Sequence, residues 1–255
     1  QGQHVGITGA NGTGKSSLFA LIMGALHTDQ GDFTLPSNLV IAHVAQETPA
    51  LDKPAIEYVM DGDHELRRIG AEIAKAESDE DGHRLGQLHS NFEAIDGYRA
   101  RTRAARLLQG LGFVTEQEQS PVSQFSGGWR MRLNLAQALM CRSDLLLLDE
   151  PFVSLDAPNA DKQRALLSEL CGQHKPTVIF VTHDLNEAIQ LADRILFLSQ
   201  APGKVILDKT VDIPRPRRSD DNRLQRWKDD LLRQYSGLLE GVLMPDLKLI
   251  SGGDV

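Results

Sequence analysis

Short solid runs of apolar residues alternate along this chain with longer stretches in which apolar positions recur at helical spacing. Residues 5–8, 39–44, 145–148 and 177–182 are runs rich in Val, Ile and Leu, and read as short buried strands. Residues 17–23, a stretch through Met131, Leu135, Ala138 and Leu139, and another with Ala165, Leu166, Leu167 and Leu170 on one face read as helices. Asp156 stands as a cap before Ala157-Pro158, and Cys171-Gly172 marks that helix's end. Strands buried on both faces belong to parallel sheets, so the pattern predicts an α/β fold with a mostly parallel sheet. Residues 194–198 and 205–207 flank Ala201-Pro202-Gly203-Lys204 and read as a hairpin.

From Glu47 to Gln124 the character changes. The stretches 56–76 and 85–111 space apolar residues helically among charges, with breaks at 61–63 and 78–82. About eighty residues without a strand are too long for a loop. This reads as an inserted helical subdomain, 47–125, splitting a core of 1–46 and 126–210, with 211–255 as a C-terminal helical extension. Asp79-Glu80-Asp81 reads as a solvated turn, with docking of a basic partner as the alternative. Pro214-Arg215-Pro216-Arg217-Arg218 reads as a solvated basic joint, and 221–239 as a charged amphipathic helix.

With 255 residues, 41% hydrophobic and 24% charged, the chain has the composition of an ordinary soluble protein. Its net charge of −8 argues against nucleic acid binding over the whole surface, and no direct DNA binding is expected. No apolar run approaches ~18 residues, and no signal peptide is evident, which points to a cytoplasmic protein, at most peripheral on the inner face of the cell membrane. Cys141 and Cys171 lack metal-ligand spacing and read as small buried residues.

The chemistry concentrates in a few places. Gly9-Ala10-Asn11-Gly12-Thr13-Gly14-Lys15-Ser16 matches the phosphate-loop pattern G-x-x-x-x-G-K-[ST], between a strand and a helix that continues from Ser17. Glycines let the backbone N–H groups curl toward phosphate oxygens, where the helix N-terminus adds a positive dipole end. Lys15 then supplies charge to the β- and γ-phosphates and Ser16 a hydroxyl to Mg²⁺. Gln46, following a strand, becomes a candidate ligand for Mg²⁺ and water. Asp149 and Glu150 end the four-leucine strand, where parallel sheets bind ligands. Asp149 is placed to hold Mg²⁺ through water and Glu150 to polarise an attacking water. His183, ending the next strand, is placed to bond the γ-phosphate or that water. Ser126-Gly127-Gly128 opens a helix. Ser126 suits an N-cap, but two glycines in a first turn cost about 1 kcal/mol each relative to Ala, which suggests close approach to an anion.

The order of these pieces resembles the ATP-binding cassette (ABC) ATPase family over nearly the whole chain. Gly9–Ser17 resembles its Walker A loop, Gln46 its Q-loop glutamine, Ser126-Gly127-Gly128-Trp129 its signature motif with Trp129 where Gln is common, 145–150 Walker B, Ser154-Leu155-Asp156 the D-loop and His183 the switch histidine. The resemblance implies a P-loop NTPase of ABC type that binds ATP and Mg²⁺ and hydrolyses ATP. It implies a partner too: a second cassette, in a homodimer or heterodimer, so that each ATP meets one subunit's Asn11–Ser17 and the other's Ser126, Gly127 and Gly128. The catalytic residues it implies are Glu150 as general base, His183 and Lys15. Only Gln1–Gly6 precede the loop, so the family's N-terminal antiparallel strands and their adenine-stacking aromatic are expected to be missing, lowering ATP affinity.

The two halves resemble different branches. Up to Pro151 the chain is similar to ABC-F proteins, in Gln46-Glu47-Thr48-Pro49-Ala50-Leu51 and in 125–150. Beyond it, Thr182-His183-Asp184-Leu185-Asn186-Glu187-Ala188 and Val211-Asp212-Ile213-Pro214-Arg215-Pro216-Arg217 resemble ATPase subunits of nitrate, sulfonate or taurine importers. A chimera joined near Walker B is the expectation. The importer resemblance implies membrane permease partners, the ABC-F resemblance a ribosome-associated switch, and a hybrid that only binds nucleotide is the third alternative.

Overall fold

The computed structural model describes residues 2–44, 50–152 and 157–245. The chain divides into two compact units, Gln1–Ile41 with Asp144–Val255, and Ala42–Ser143. The segment 47–125 lies inside the second unit, which also takes in the helix that follows Ser126.

In the first unit the apolar runs become strands: β1 (His4–Thr8), β3 (Leu145–Asp149), β4 (Thr177–Val181) and β5 (Arg194–Leu198). β2 (Ile41–Val44) is the strand within which the division falls. Among the described residues the sheet has six strands in the order β2-β3-β4-β1-β5-β6, with β6 spanning Val205–Thr210. β1 pairs parallel with β4 and β5, and β3 with β4, while β5 and β6 form the antiparallel hairpin. Leu146, Leu147 and Leu148 are almost wholly buried, which is why that run carries no alternation. Ile7, Leu145, Leu147 and Val181 pack against Phe19 and Ile22 of α1 (Lys15–Ile22). Each such side chain contributes roughly 1.5–3 kcal/mol by leaving water. Register sets Ile7 and Asp149 level with Val181, so the carboxyl ends of β1, β3 and β4 finish together.

α7 (Ala157–His174) runs past the expected end at Cys171-Gly172. α8 (Leu185–Leu191) is capped by Asp184, and α9 (Asn222–Gln234) by Asp221. The basic joint is not a solvated linker. Arg217 is buried, and its guanidinium donates to the carbonyls of Ile189 (2.8 Å), Ile213 (2.7 Å), Val211 (3.0 Å) and Ala192. Those carbonyls include the end of α8, where cations are favourable. Charge pattern alone could not distinguish this from a surface run.

The second unit is helical: α2 (Ala55–Met60), α3 (His64–Ser78), α4 (Gly82–Ala94), α5 (Ala100–Gly110) and α6 (Gly127–Met140). The predicted breaks are present, each closed by an aspartate cap: Asp63 accepts from Leu66 N–H and Asp81 from Arg84 N–H. Asp81 therefore makes the acidic cluster a capped turn. The stretch 85–111 is not one helical run. It breaks at Asp96, whose φ is 57°, and Gly97, where a Cβ would sit 2.7 Å from the Phe92 ring. Tyr98 then closes edge-on against Phe92 at 5.0 Å.

Candidate functional site

The loop between β1 and α1 is shaped by its glycines. Gly12 and Gly14 have φ of 80° and 96°, the left-handed region, and a Cβ on either would meet no neighbouring atom. The backbone turn, rather than lack of space, requires them. Lys15 is buried, and its Nζ donates to the carbonyls of Gly9 (2.8 Å) and Ala10 (2.9 Å), curling the loop around the ammonium. Thr13 closes the turn by donating to Ala10 O at 3.0 Å. Asn11, Gly12, Gly14, Ser16 and Ser17 are exposed. A second contact was not visible from the motif. Gly203, in the β5–β6 turn, approaches so closely that a Cβ there would stand 2.1 Å from Thr13 O. The turn thus backs the loop, a contact that the hairpin reading of Ala201-Pro202-Gly203-Lys204 did not carry.

At the neighbouring strand ends, Glu150 follows β3 with φ of 46°, its N–H bonded to Val181 O at 3.0 Å. A non-glycine residue in that region is uncommon, and such strain gathers at functional sites. The turn directs the Glu150 carboxylate to His183, with Oε1 3.3 Å from Nδ1. The carboxylate is largely buried and the imidazole exposed. Two residues singled out separately, 33 positions apart, are therefore one pair. Asp149 stands beside them at the end of β3.

These groups fit the ligands that the motifs imply. The glycine turn, the ammonium and an exposed hydroxyl at a helix start suit a triphosphate. For Mg²⁺ the described residues offer Ser16 and Asp149, hard oxygen donors that suit this ion when phosphate oxygens complete the shell. No group of three or more His, Cys, Asp or Glu among the described residues could hold a metal on its own. Gln46 and the Ser154-Leu155-Asp156 stretch lie outside the described residues.

The signature-like residues open α6 in the second unit. Ser126 is the N-cap residue but makes no side-chain cap bond, so its hydroxyl does not do what a structural cap would do. Ser126 and Gly127 are exposed, and a Cβ on Gly127 would meet nothing; Gly128 follows within the first turn. Trp129 turns the other way. It packs edge-on against Phe113 (4.7 Å), which also meets Phe125 (5.4 Å), and the Arg132 guanidinium lies 4.4 Å over its ring. The unusual Trp thus belongs to an aromatic buttress under an exposed helix start.

Comparison with known proteins bears on the family and the fold. Residues 1–153 match the model of the ABC transporter family. The chain is 47% identical over 199 residues to the ATP-binding protein YheS of Escherichia coli K12, covering 78% of this chain and 31% of that one. It is 35% identical over 208 residues to human ATP-binding cassette sub-family F member 3, covering 77% and 28%. The chain thus spans about a third of the length of these relatives. Among solved structures, a dimeric post-hydrolysis ATP-binding cassette, MJ0796 bound to ADP and phosphate, superposes with a TM-score of 0.61 at 23% identity, covering 84% of this chain and 87% of that one. A metal-chelate type ABC transporter in an inward-facing conformation gives 0.58 at 23%, covering 83% and 73%.

Proposed function

The chain belongs to the ABC transporter family as an ATP-binding cassette of the P-loop ATPase type, and from that premise we propose that it binds ATP along its sheet edge and hydrolyses it against a second cassette. The pairing of Glu150 with His183 beside the phosphate loop carries this reading. Glu150 takes the proton of the attacking water as its oxygen bonds the γ-phosphorus. The bond from that phosphorus to the β–γ bridging oxygen breaks, leaving ADP and phosphate. His183 orients Glu150 and meets the γ-phosphate. Lys15, with the N–H groups of Asn11–Ser17, stabilises the charge that develops on the phosphate oxygens. Ser16 and Gln46, with Asp149 through water, would hold Mg²⁺, which would supply positive charge to the phosphate oxygens.

Ser126, Gly127 and Gly128 serve the ATP of the partner cassette, in a homodimer or heterodimer. Their exposed helix start, free of a side-chain cap, supports this. ATP then acts as an adhesive between cassettes that hydrolysis removes. The MJ0796 cassette was seen as a dimer.

We assign the cassette to energising a solute importer through membrane permease subunits, on the sequence from Thr182 to Ala188 and the buried Arg217 motif. The alternative, which the ABC-F resemblance implies, is a ribosome-associated switch; the similarity to sub-family F member 3 bears out that resemblance and not the partner. A chimeric origin would accommodate both, but the similarity to YheS, over 199 residues, runs past the proposed joint. No helix among the described residues is long and apolar enough to cross a membrane. Co-purification with a permease supports the first role, and co-sedimentation with ribosomes the second. Glu150→Gln tests the chemistry: turnover falls steeply and an ATP-bound dimer accumulates. Dimerisation indifferent to ATP and to this change contradicts the sandwich.

A further inference from the structure

Behind His183 lies a buried carboxylate that the mechanism above does not use. Glu187 sits in the first turn of α8 and is 6% exposed. Asp184 caps this helix, so Glu187 stands three residues past the cap, where a glutamate ordinarily reaches back to the cap residue's N–H. Here that N–H is taken by another group. Asp184 N–H donates to Thr182 Oγ1 at 3.0 Å, and the same Thr182 hydroxyl donates its proton to Glu187 Oε2. Thr182 is 1% exposed and is itself pinned to β1 by its N–H bond to Ile7 O at 3.1 Å. A single hydroxyl therefore ties together the residues on both sides of His183 and anchors them to Glu187. The imidazole projects from this relay to within 3.3 Å of Glu150.

We propose that Glu187 is a positioning residue for the switch histidine, setting through Thr182 where His183 stands against Glu150. The consequence for turnover rests on the ATPase reading; the relay itself does not. An ionised carboxylate holds the Thr182 proton by a charge-assisted bond, roughly twice as strong as a neutral one. Its other oxygen, Oε1, is buried without a hydrogen-bond partner. Burial raises this carboxyl to about 7, against the bond from Thr182 and the charge of Arg164 on α7, with Asp184 and His183 the remaining charged or titratable neighbours. A proton arriving at Oε1 removes the charge, weakens the Thr182 bond and loosens the loop. Positioning of His183 is therefore firm above neutral pH and relaxed below it.

The test follows the Asp184 amide of the full chain by NMR from pH 5.5 to 8.5. His183→Ala serves as background, so that imidazole titration does not contribute. The amide should titrate with a midpoint near 7, and adding Glu187→Gln, which keeps the shape, or Thr182→Val should abolish that titration. An amide that does not titrate near 7, or that titrates unchanged after Glu187→Gln, overturns the proposal. With His183 intact, Glu187→Ala should lower kcat about tenfold with KM within twofold. Glu187→Gln should retain partial kcat and lose the fall in turnover below pH 7. A wild-type kcat and pH profile in Glu187→Gln also overturns the proposal. A chain without ATP turnover whose Asp184 amide still follows Glu187 refutes the ATPase reading and supports the relay.

Discussion

The chain starts two helices with glycines and finishes them differently. At α1, Gly12 and Gly14 bend the loop inward, Lys15 is buried at its centre, and the β5–β6 turn closes over Thr13. At α6, Ser126 and Gly127 lie exposed with no side-chain cap, and the bulk behind them is the cluster of Phe113, Phe125, Trp129 and Arg132. The first holds its own cation against its own carbonyls. The second opens on exposed backbone with the aromatic cluster behind it. The difference accords with one site that grips nucleotide unaided and one that acts only on a partner's nucleotide.

Substitutions can break this contrast. The largest effect is expected at the strand ends, where Glu150→Gln should lower turnover by ~10²–10⁴ while nucleotide stays bound, measured as phosphate release and retained nucleotide. Comparable loss of both would mean that Glu150 holds the loop rather than the water. Next comes Gly203→Ala, because a Cβ 2.1 Å from Thr13 O forces the turn off the phosphate loop. A cost of ~1–3 kcal/mol in denaturant unfolding and about tenfold in nucleotide affinity is expected. Trp129→Ala should destabilise the helical unit by roughly 2–3 kcal/mol, less than a fully buried Trp would, and leave nucleotide affinity unchanged. A drop in single-cassette affinity would show that the two helix starts are not independent.

The smallest effect is on acid stability. Burial, and then the charge of Arg215, lowers the His4 imidazole from 6.5 to about 4. Its contacts with Leu191 O and Arg215 fit a neutral ring with the proton on Nδ1. A base with a depressed folded-state pKa favours unfolding on protonation, so this contribution is present above about 6.5 and fades as pH falls toward 4. Glu187 has the opposite sign, favouring the folded state while protonated and losing that contribution as pH rises from about 4.5 to 7. His4→Gln should therefore flatten the acid limb of a thermal-unfolding series, and Glu187→Gln should raise Tm more at pH 8 than at pH 5.

Local sequence carried the phosphate loop, the Leu145–Asp149 strand and the hairpin, because each depends on neighbours a few positions away. The four-leucine run could hardly be anything but a doubly buried strand, and the lysine pattern fixed its own strand–loop–helix context. What lay hidden was long-range. Nothing near Arg217 reveals that carbonyls at 189, 192 and 211 converge on it, and nothing near Gly203 reveals Thr13. Asp96-Gly97 did carry a break signal, but it was masked by the apolar spacing that runs through it on both sides. Ser126 was legible as a cap position, and only the missing side-chain bond distinguishes its hydroxyl from an ordinary cap. The Glu150–His183 contact follows from β3 and β4 being adjacent in the sheet, a pairing that spacing along the chain does not state.

The central claim, that Lys15 and its loop grip a triphosphate, is tested most directly by equilibrium titration of labelled ATP with wild-type chain and Lys15→Ala under identical Mg²⁺. Wild type should saturate, and the variant should bind at least a hundredfold more weakly while its circular dichroism is unchanged. Equal affinity in the two folded proteins would contradict the account.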